Sequence, residues 1–404
     1  MTDRRLDVTG RGIVSALGRS VEDFESAIFA GRSAIVDISD LGYGLRFTRG
    51  APIRDFDPSA HFDERSLSML DRFTRFAAVA ARSAWQESGL DRDPPDPYRT
   101  AVVIGTANGG IDTLDDGFRR LFKSNSRLHP LTIPQTMASA PASRIAREVG
   151  ARGPVFGVTS ACASAAHAIM TGAGLIRTGL VDVAVVGGAD SCYSEGYLRA
   201  WDALRVVSSD TCRPFSAGRR GLVVGEGAGM LVLERAGRAA ARGARPLAQF
   251  LGGGMTSDAG DIVAPDPKGM AAAIRAALID AGLRADEIDY VNAHGTGTVA
   301  NDRAEAAALI DALGEHGRSV PVSSTKSMVG HAMGASGGIE AIATIAAIRH
   351  GIVPPTMNHT GPDPDIGIDP TPNVARRREI GVALSDSFAF GGLNVTLAFG
   401  RCER

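Results

Sequence analysis

The chain has 404 residues, 44% of them hydrophobic and 22% charged, with a net charge of −2. That length allows one large domain or two intimate ones, and the near-neutral balance argues against nucleic-acid and membrane-surface binding. Four cysteines without CxxC spacing (Cys162, Cys192, Cys212 and Cys402) argue against a disulfide framework and a zinc site, so no metal is expected. No apolar run reaches the ~18 residues that span a bilayer. The start, MTDRRLDVTG, has no apolar signal core, so a soluble, reduced, cytoplasmic protein is expected.

Aromatics make up only 5% of the chain and glycines number 49, so Ala, Val, Ile and Gly must do most of the packing. Apolar runs predict strands over Leu6–Thr9, Thr100–Ile104, Val181–Val186, Gly229–Glu234, Asp289–Asn292, Val320–Ser323, Val382–Asp386 and Asn394–Phe399. Helical spacing predicts Leu70–Gly89, Ala163–Thr178, Gly269–Ala281, Asp302–Leu313 and Ser336–His350. The alternation implies an α/β fold with sheets covered by helices. The Pro/Asp-rich stretches Asp91–Tyr98 and Thr360–Pro372 read as surface loops. A weak symmetry relates 155–190 to 320–357. Each reads as a strand, a turn with a reactive residue, and then an Ala-rich helix. Two such halves meeting at one site would set Cys162 opposite His331.

Cys162 lies in VTSACASAAHAIM, on a turn of small residues ahead of a helix. The helix start would aim unpaired N–H groups and a positive dipole end at the sulfur, lowering its pKa and favouring a nucleophilic thiolate. A buried structural cysteine fits the same turn. His294 lies in AHGTGT and His331 in KSMVGHAMG. Two neutral imidazoles can donate to one thioester oxygen, stabilise an enolate and promote loss of CO2 from a malonyl group. Either histidine alone also fits a packing role. Lys326 and Glu305 fit a buried pair that holds the histidines, or else solvated charges. In SDSFAFGGLN, Gly391 and Gly392 permit a tight turn beside Phe388 and Phe390. That segment reads either as a hairpin with core aromatics or as a backbone oxyanion donor at Phe390 with a gate over an acyl pocket.

Together, LDVTGRGIVSALG, RGPVFGVTSACASA, DVAVVGGAD, RPFSAGRRGLVVGEGAGMLVLE, YVNAHGTGTVAND, SSTKSMVGHAMGASG and SFAFGGLN resemble the elongating type II β-ketoacyl-[acyl carrier protein] synthases of the thiolase-like superfamily, across essentially the whole chain. The resemblance implies a thiolase-like five-layered αβαβα fold of two similar halves, here 1–250 with the nucleophile and 251–404 with the two histidines. It implies that Cys162 takes an acyl chain from an acyl carrier protein, and that His294 and His331 assist decarboxylation of malonyl carrier protein before condensation. Lys326 and Glu305 match its supporting charges, the Cys162 and Phe390 amides its oxyanion hole, and Thr296 and Thr298 its pantetheine contacts. No cofactor beyond the carrier's phosphopantetheine is implied. The expected partners are an acyl carrier protein and a second subunit, as a homodimer or a heterodimer with a chain-length factor.

Docking of an acidic carrier makes Arg205, Arg213 and Arg65 candidates, with Arg72, Arg219 and Arg220 behind them. Several positions depart from the family pattern. Leu393 stands where Thr is usual, and polar Asn108 where an apolar or Gly residue lines the acyl pocket. HGTGT replaces HGTST, as in polyketide, aryl-polyene and nodulation synthases, and PQTMASAPASRIA (134–146) departs from the dimer-interface pattern. These point to a specialised synthase with an unusual acyl chain. The competing reading is a non-catalytic chain-length-factor-like subunit. A thiolase is disfavoured because SFAFGGLN has no second cysteine.

Overall fold

The computed structural model describes residues 5–402, among which ten strands join in one continuous sheet. They are β1 (Leu6–Ser15), β2 (Thr100–Gly105), β3 (Val155–Val158), β4 (Val183–Asp190), β5 (Gly227–Arg235), β6 (Ala248–Ser257), β7 (Tyr290–Asn292), β8 (Val322–Ser323), β9 (Val382–Ala389) and β10 (Leu393–Gly400). Their spatial order is β8-β7-β9-β10-β6-β1-β5-β4-β2-β3. From each edge inwards, both halves therefore run third strand, second, fourth, fifth, first. The symmetry hinted at by two segments is a repeat of the whole topology. The repeats meet where Leu6, Asp7 and Val8 pair antiparallel with Phe250, Gln249 and Ala248.

The main helices are α1 (Val21–Phe29), α2 (Arg72–Ser88), α3 (Ile111–Ser124), α4 (Ala140–Val149), α5 (Ser164–Arg177), α6 (Glu195–Leu204), α7 (Pro267–Ala281), α8 (Val299–Leu313) and α9 (Ser336–His350). Helices α2 and α4 cover the outer face of the first half-sheet, and α7, backed by α8, covers that of the second. Helices α5 and α9 lie between the halves and touch strands of both. This is the thiolase-like αβαβα layering expected. Every residue of α9 from Ser336 to Ile348 is buried, as its nearly all-apolar surface demands.

Two expectations fell short for one physical reason. Strand β1 runs on to Ser15, and β6 was not expected at all; both carry glycines that interrupt the apolar pattern. Those glycines are where a helix rests on the sheet. A Cβ on Gly10 or Gly12 would come within 2.0 or 1.8 Å of the Ala84 or Ala80 carbonyl oxygen of α2. One on Gly254 would come within 2.1 Å of the Ala273 carbonyl oxygen of α7. The same close approach recurs at the first strand of each repeat.

The two edges of the sheet differ. At β8 the Pro/Asp-rich loop folds over the edge: the Val322 N–H donates to the Asp369 carbonyl oxygen at 2.8 Å, and both β8 residues are buried. At β3 all four residues are only half-buried, and no further strand pairs with the outer edge among the described residues.

Candidate active site

Cys162 sits between β3 and α5, on a turn in which Ala161 takes the left-handed conformation (φ 49°). A non-glycine residue there costs on the order of 1 kcal/mol, so the turn must be held by its surroundings. The Ser164 hydroxyl accepts from the Ser160 N–H at 2.9 Å and donates to the Ala161 carbonyl oxygen at 2.6 Å. The expected lowering of the thiol pKa is not realised. Burial pushes Cys162 up to about 12, and the nearby Lys326 ammonium offsets this only in part. The resting side chain is a neutral thiol.

His294 follows β7, and His331 lies in the segment between β8 and α9. Their rings stand edge to face, with centroids 5.4 Å apart. Burial holds both imidazoles well below their usual range, the Lys326 ammonium adds to this in each case, and at His294 the proximity of His331 contributes as well. Both are therefore neutral near pH 7. Lys326 Nζ donates to the His294 carbonyl oxygen at 2.6 Å and lies 3.3 Å from His294 Nδ1. An ammonium has no lone pair, so Nδ1 accepts and the proton of His294 is assigned to Nε2. His331 Nδ1 is 2.9 Å from the Ser336 hydroxyl. Its backbone is tied to the first repeat: its N–H donates to the Val223 carbonyl at 2.7 Å, and its own carbonyl accepts from the Gly225 N–H at 2.9 Å.

The expected Lys326–Glu305 pair is replaced by another. Lys326 is ion-paired with Glu340 of α9, and both are essentially fully buried. Glu305 instead accepts the backbone N–H groups of His294 and Gly295, each at 2.7 Å, and the Asn301 amide at 3.2 Å. Burial, together with the charge of Asp386, pushes Glu305 up to about 8. Glu305 thus shapes the His294 turn through the backbone, and Glu340 balances the lysine. Asp190 is a further anchor that sequence reasoning did not single out. It accepts from the Thr106 hydroxyl (2.6 Å), the Ala107 N–H (2.9 Å) and the Gly334 N–H (2.7 Å), tying the Gly-rich segment after β2 to the His331 segment.

Cys162, His294 and His331 line a single cavity of about 100 Å³ with Thr296, Thr298, Phe388 and Phe390. Thr296 and Thr298 share a hydroxyl–hydroxyl hydrogen bond at 2.9 Å, and the Thr298 side chain caps α8 by accepting from the Asn301 N–H. The Phe390 ring stacks on Trp201, with centroids 6.3 Å apart. Gly391 and Gly392, at φ 84° and 65°, make the β9–β10 turn. The loop bearing Ile262 closes on that turn: the Gly391 N–H donates to the Ile262 carbonyl at 2.8 Å, and the Asp258 N–H to the Gly392 carbonyl at 2.9 Å. Ile262, 72% exposed, and Val263 form the outer lip of the cavity. Neither Trp201 nor this lip had a signal in the chain, since nothing local marks them as neighbours of Cys162.

Asn108 does not line this cavity. Its side-chain amide donates to the hydroxyl of Tyr197 on α6 at 2.6 Å. Among the arginines, Arg205 ends α6 and shares a surface groove with Arg46, Arg220 and Trp201. Arg213 is half-buried and paired with Asp210, while Arg65 is exposed on the short helix Glu64–Leu67. Arg72 is committed to the buried carboxylate of Glu226, and buried Arg219 to Asp302 and Asp363, so neither presents a free charge.

A thiol and two neutral imidazoles lining one small cavity suit acyl transfer and stabilisation of an enolate. Comparison with known proteins agrees. Residues 3–239 match the N-terminal domain of β-ketoacyl synthases and residues 247–360 the C-terminal domain. The chain belongs to the β-ketoacyl synthase family. Nodulation protein E of Rhizobium sp. (strain N33) is 46% identical over 400 residues, covering 98% of this chain and 99% of the relative. The 3-oxoacyl-[acyl-carrier-protein] synthase 2 of Synechocystis sp. is 38% identical over 410 residues, covering 99% of each. A solved structure described as the ishigamide ketosynthase/chain length factor superposes with a TM-score of 0.94 at 35% identity and covers both chains fully.

Proposed function

We propose that this β-ketoacyl synthase condenses an acyl chain carried on Cys162 with malonyl-[acyl carrier protein], releasing CO2 and β-ketoacyl-[acyl carrier protein] two carbons longer. The observation that carries this is the shared cavity of Cys162, His294 and His331, with both imidazoles neutral. In the first step the Cys162 sulfur forms a thioester with the acyl carbonyl, the carrier–acyl bond breaks, and the thiol proton passes to the departing pantetheine thiolate. In the second, the malonyl C–COO⁻ bond breaks and its electron pair moves towards the thioester oxygen. The Nε2–H of His294 and a ring N–H of His331 donate to this oxygen. The new carbon nucleophile attacks the acyl-cysteine, and the Cys162 thiolate leaves and is reprotonated.

The amides of Cys162 and Phe390 serve the oxyanion of the acyl carbonyl; the Phe390 N–H finds no protein acceptor among the described residues, which leaves it available. Thr296 and Thr298 receive the pantetheine arm. Lys326 fixes the His294 tautomer, and Glu305 fixes the turn that carries it. The reaction calls for no free cofactor, because both substrates arrive on phosphopantetheine. Arg205, with Arg220 and Arg46 in its groove, meets the carrier protein at the cavity mouth. The working compartment is the cytoplasm; no helix among the described residues is long and apolar enough to cross a membrane.

The enzyme works as a dimer through β3. Its half-buried outer edge is continuous with the segment holding Ile133 and Met137, large apolar side chains 69% and 46% exposed, and Gly157 of β3 packs on Ala138. The complete Cys/His/His set favours a catalytic subunit, whether its partner is a second copy or a chain-length factor. The test supplies acyl carrier protein and malonyl carrier protein and follows the product by mass. A β-ketoacyl carrier two carbons longer supports the proposal, and release of free acid without chain extension sinks it.

A further inference from the structure

We propose that His167 is a positioning residue for the nucleophile: from the first turn of α5 its imidazole clamps Ser160, and so holds the turn that aims the Cys162 thiol into the cavity. The proposal rests on the reading of Cys162 as nucleophile and adds a residue that reading does not contain.

The turn needs a clamp. Ala161 sits at φ 49° directly before Cys162, a conformation that persists in a non-glycine residue only where its surroundings enforce it. Part of the enforcement is local. Ser164 bonds both the Ser160 N–H and the Ala161 carbonyl, and the Ala163 and Ser164 N–H groups return to the Ser160 and Ala161 carbonyls at 3.1 and 3.2 Å. Those contacts tie the backbone of 160–163 to the first residue of α5, whose hydroxyl also lies 3.2 Å from the Thr106 carbonyl oxygen; none of them holds the Ser160 side chain.

His167 supplies that hold. Its Nδ1 lies 2.9 Å from the Ser160 hydroxyl and 3.2 Å from the Ala163 carbonyl oxygen, bridging both sides of Cys162. The residue itself is locked into the helix: its N–H donates to the Ala163 carbonyl at 2.9 Å, and its own carbonyl accepts the Thr171 hydroxyl at 2.7 Å. A packing role asks only for a ring of this size. The bridge asks for a polar nitrogen at the Nδ1 position, which an asparagine amide can also supply.

The test measures two partial reactions in the full chain carrying His167→Ala or His167→Asn: acylation of Cys162 by acyl carrier protein, and decarboxylation of malonyl carrier protein. The expected result is acylation slowed about 10-fold in His167→Ala, the scale on which a small misplacement of a reacting atom acts. Decarboxylation stays near the wild-type rate, and His167→Asn recovers most of the acylation rate. Wild-type acylation in His167→Ala overturns the proposal. So does an equal loss of both partial reactions in the two variants together with a lowered melting temperature, which marks a merely structural side chain. Failure of the underlying reading looks different: acylation would then survive Cys162→Ala whatever occupies position 167.

Discussion

The two repeats share one strand order and use it differently. In the first, the segment after the third strand is a tight turn, strained at Ala161, that delivers Cys162 directly onto α5. In the second, the equivalent segment between β8 and α9 is longer and carries Lys326 and His331 deep in the interior, where Glu340 of α9 meets the lysine. One topology thus yields a thiol at the cavity wall from one half, and from the other a buried, charge-balanced support for imidazoles. The edges diverge in the same way: the second repeat covers its own edge with the loop over β8, whereas the first leaves β3 half-buried.

The comparison breaks most visibly at the nucleophile. Cys162→Ala should abolish acyl transfer in a mass assay while leaving the fold intact, since a small side chain is swapped for another. On the other half, His294→Ala and His331→Ala should each slow malonyl decarboxylation about 10²–10³-fold, the usual cost of losing one oxyanion donor, and spare acylation more. Equal loss of both partial reactions would refute that division of labour.

The charge balance can be tested by stability. Glu340→Ala strands a buried ammonium, which should cost about 3–5 kcal/mol in denaturant unfolding. Unchanged stability would mean that the Lys326–Glu340 pair is not the support described. At the uncovered edge, Met137→Asp should shift the protein from dimer to monomer in sedimentation with little change in monomer stability, and an unchanged dimer would place the interface elsewhere. The smallest effect is in pH. Both imidazoles are held well below 6.5, chiefly by burial, so their neutral fraction persists as pH falls through 6.5. Malonyl decarboxylation should therefore show no loss on that limb, and a midpoint near 6.5 would contradict neutral, buried histidines.

Much of this was legible in the chain because the decisive residues sit on distinctive local patterns. Cys162, His294 and His331 lie on turns of small residues and glycines between a strand and a helix, and the order of those segments carried the family resemblance. What was not legible depends on contacts between distant segments. Glu340 lies inside an apolar helix, and nothing in SGGIEAIATIAAIRH shows that it faces Lys326. Asn108 was expected at the acyl pocket; that its amide donates to Tyr197, 89 residues on, could not be read from the chain. Gly10, Gly12 and Gly254 read as breaks in strands because the helices that need them lie far along the sequence. The expected thiolate failed for a related reason: a helix N-terminus can be read locally, whereas burial of Cys162 is a property of the whole fold.

The central claim, that Cys162 carries the acyl chain, is tested most directly by intact-mass analysis after mixing the protein with acyl carrier proteins of varied chain length. The account predicts a gain of one acyl group that disappears in Cys162→Ala and is discharged when malonyl carrier protein is added. A gain that survives Cys162→Ala, or no gain with any chain, would contradict it.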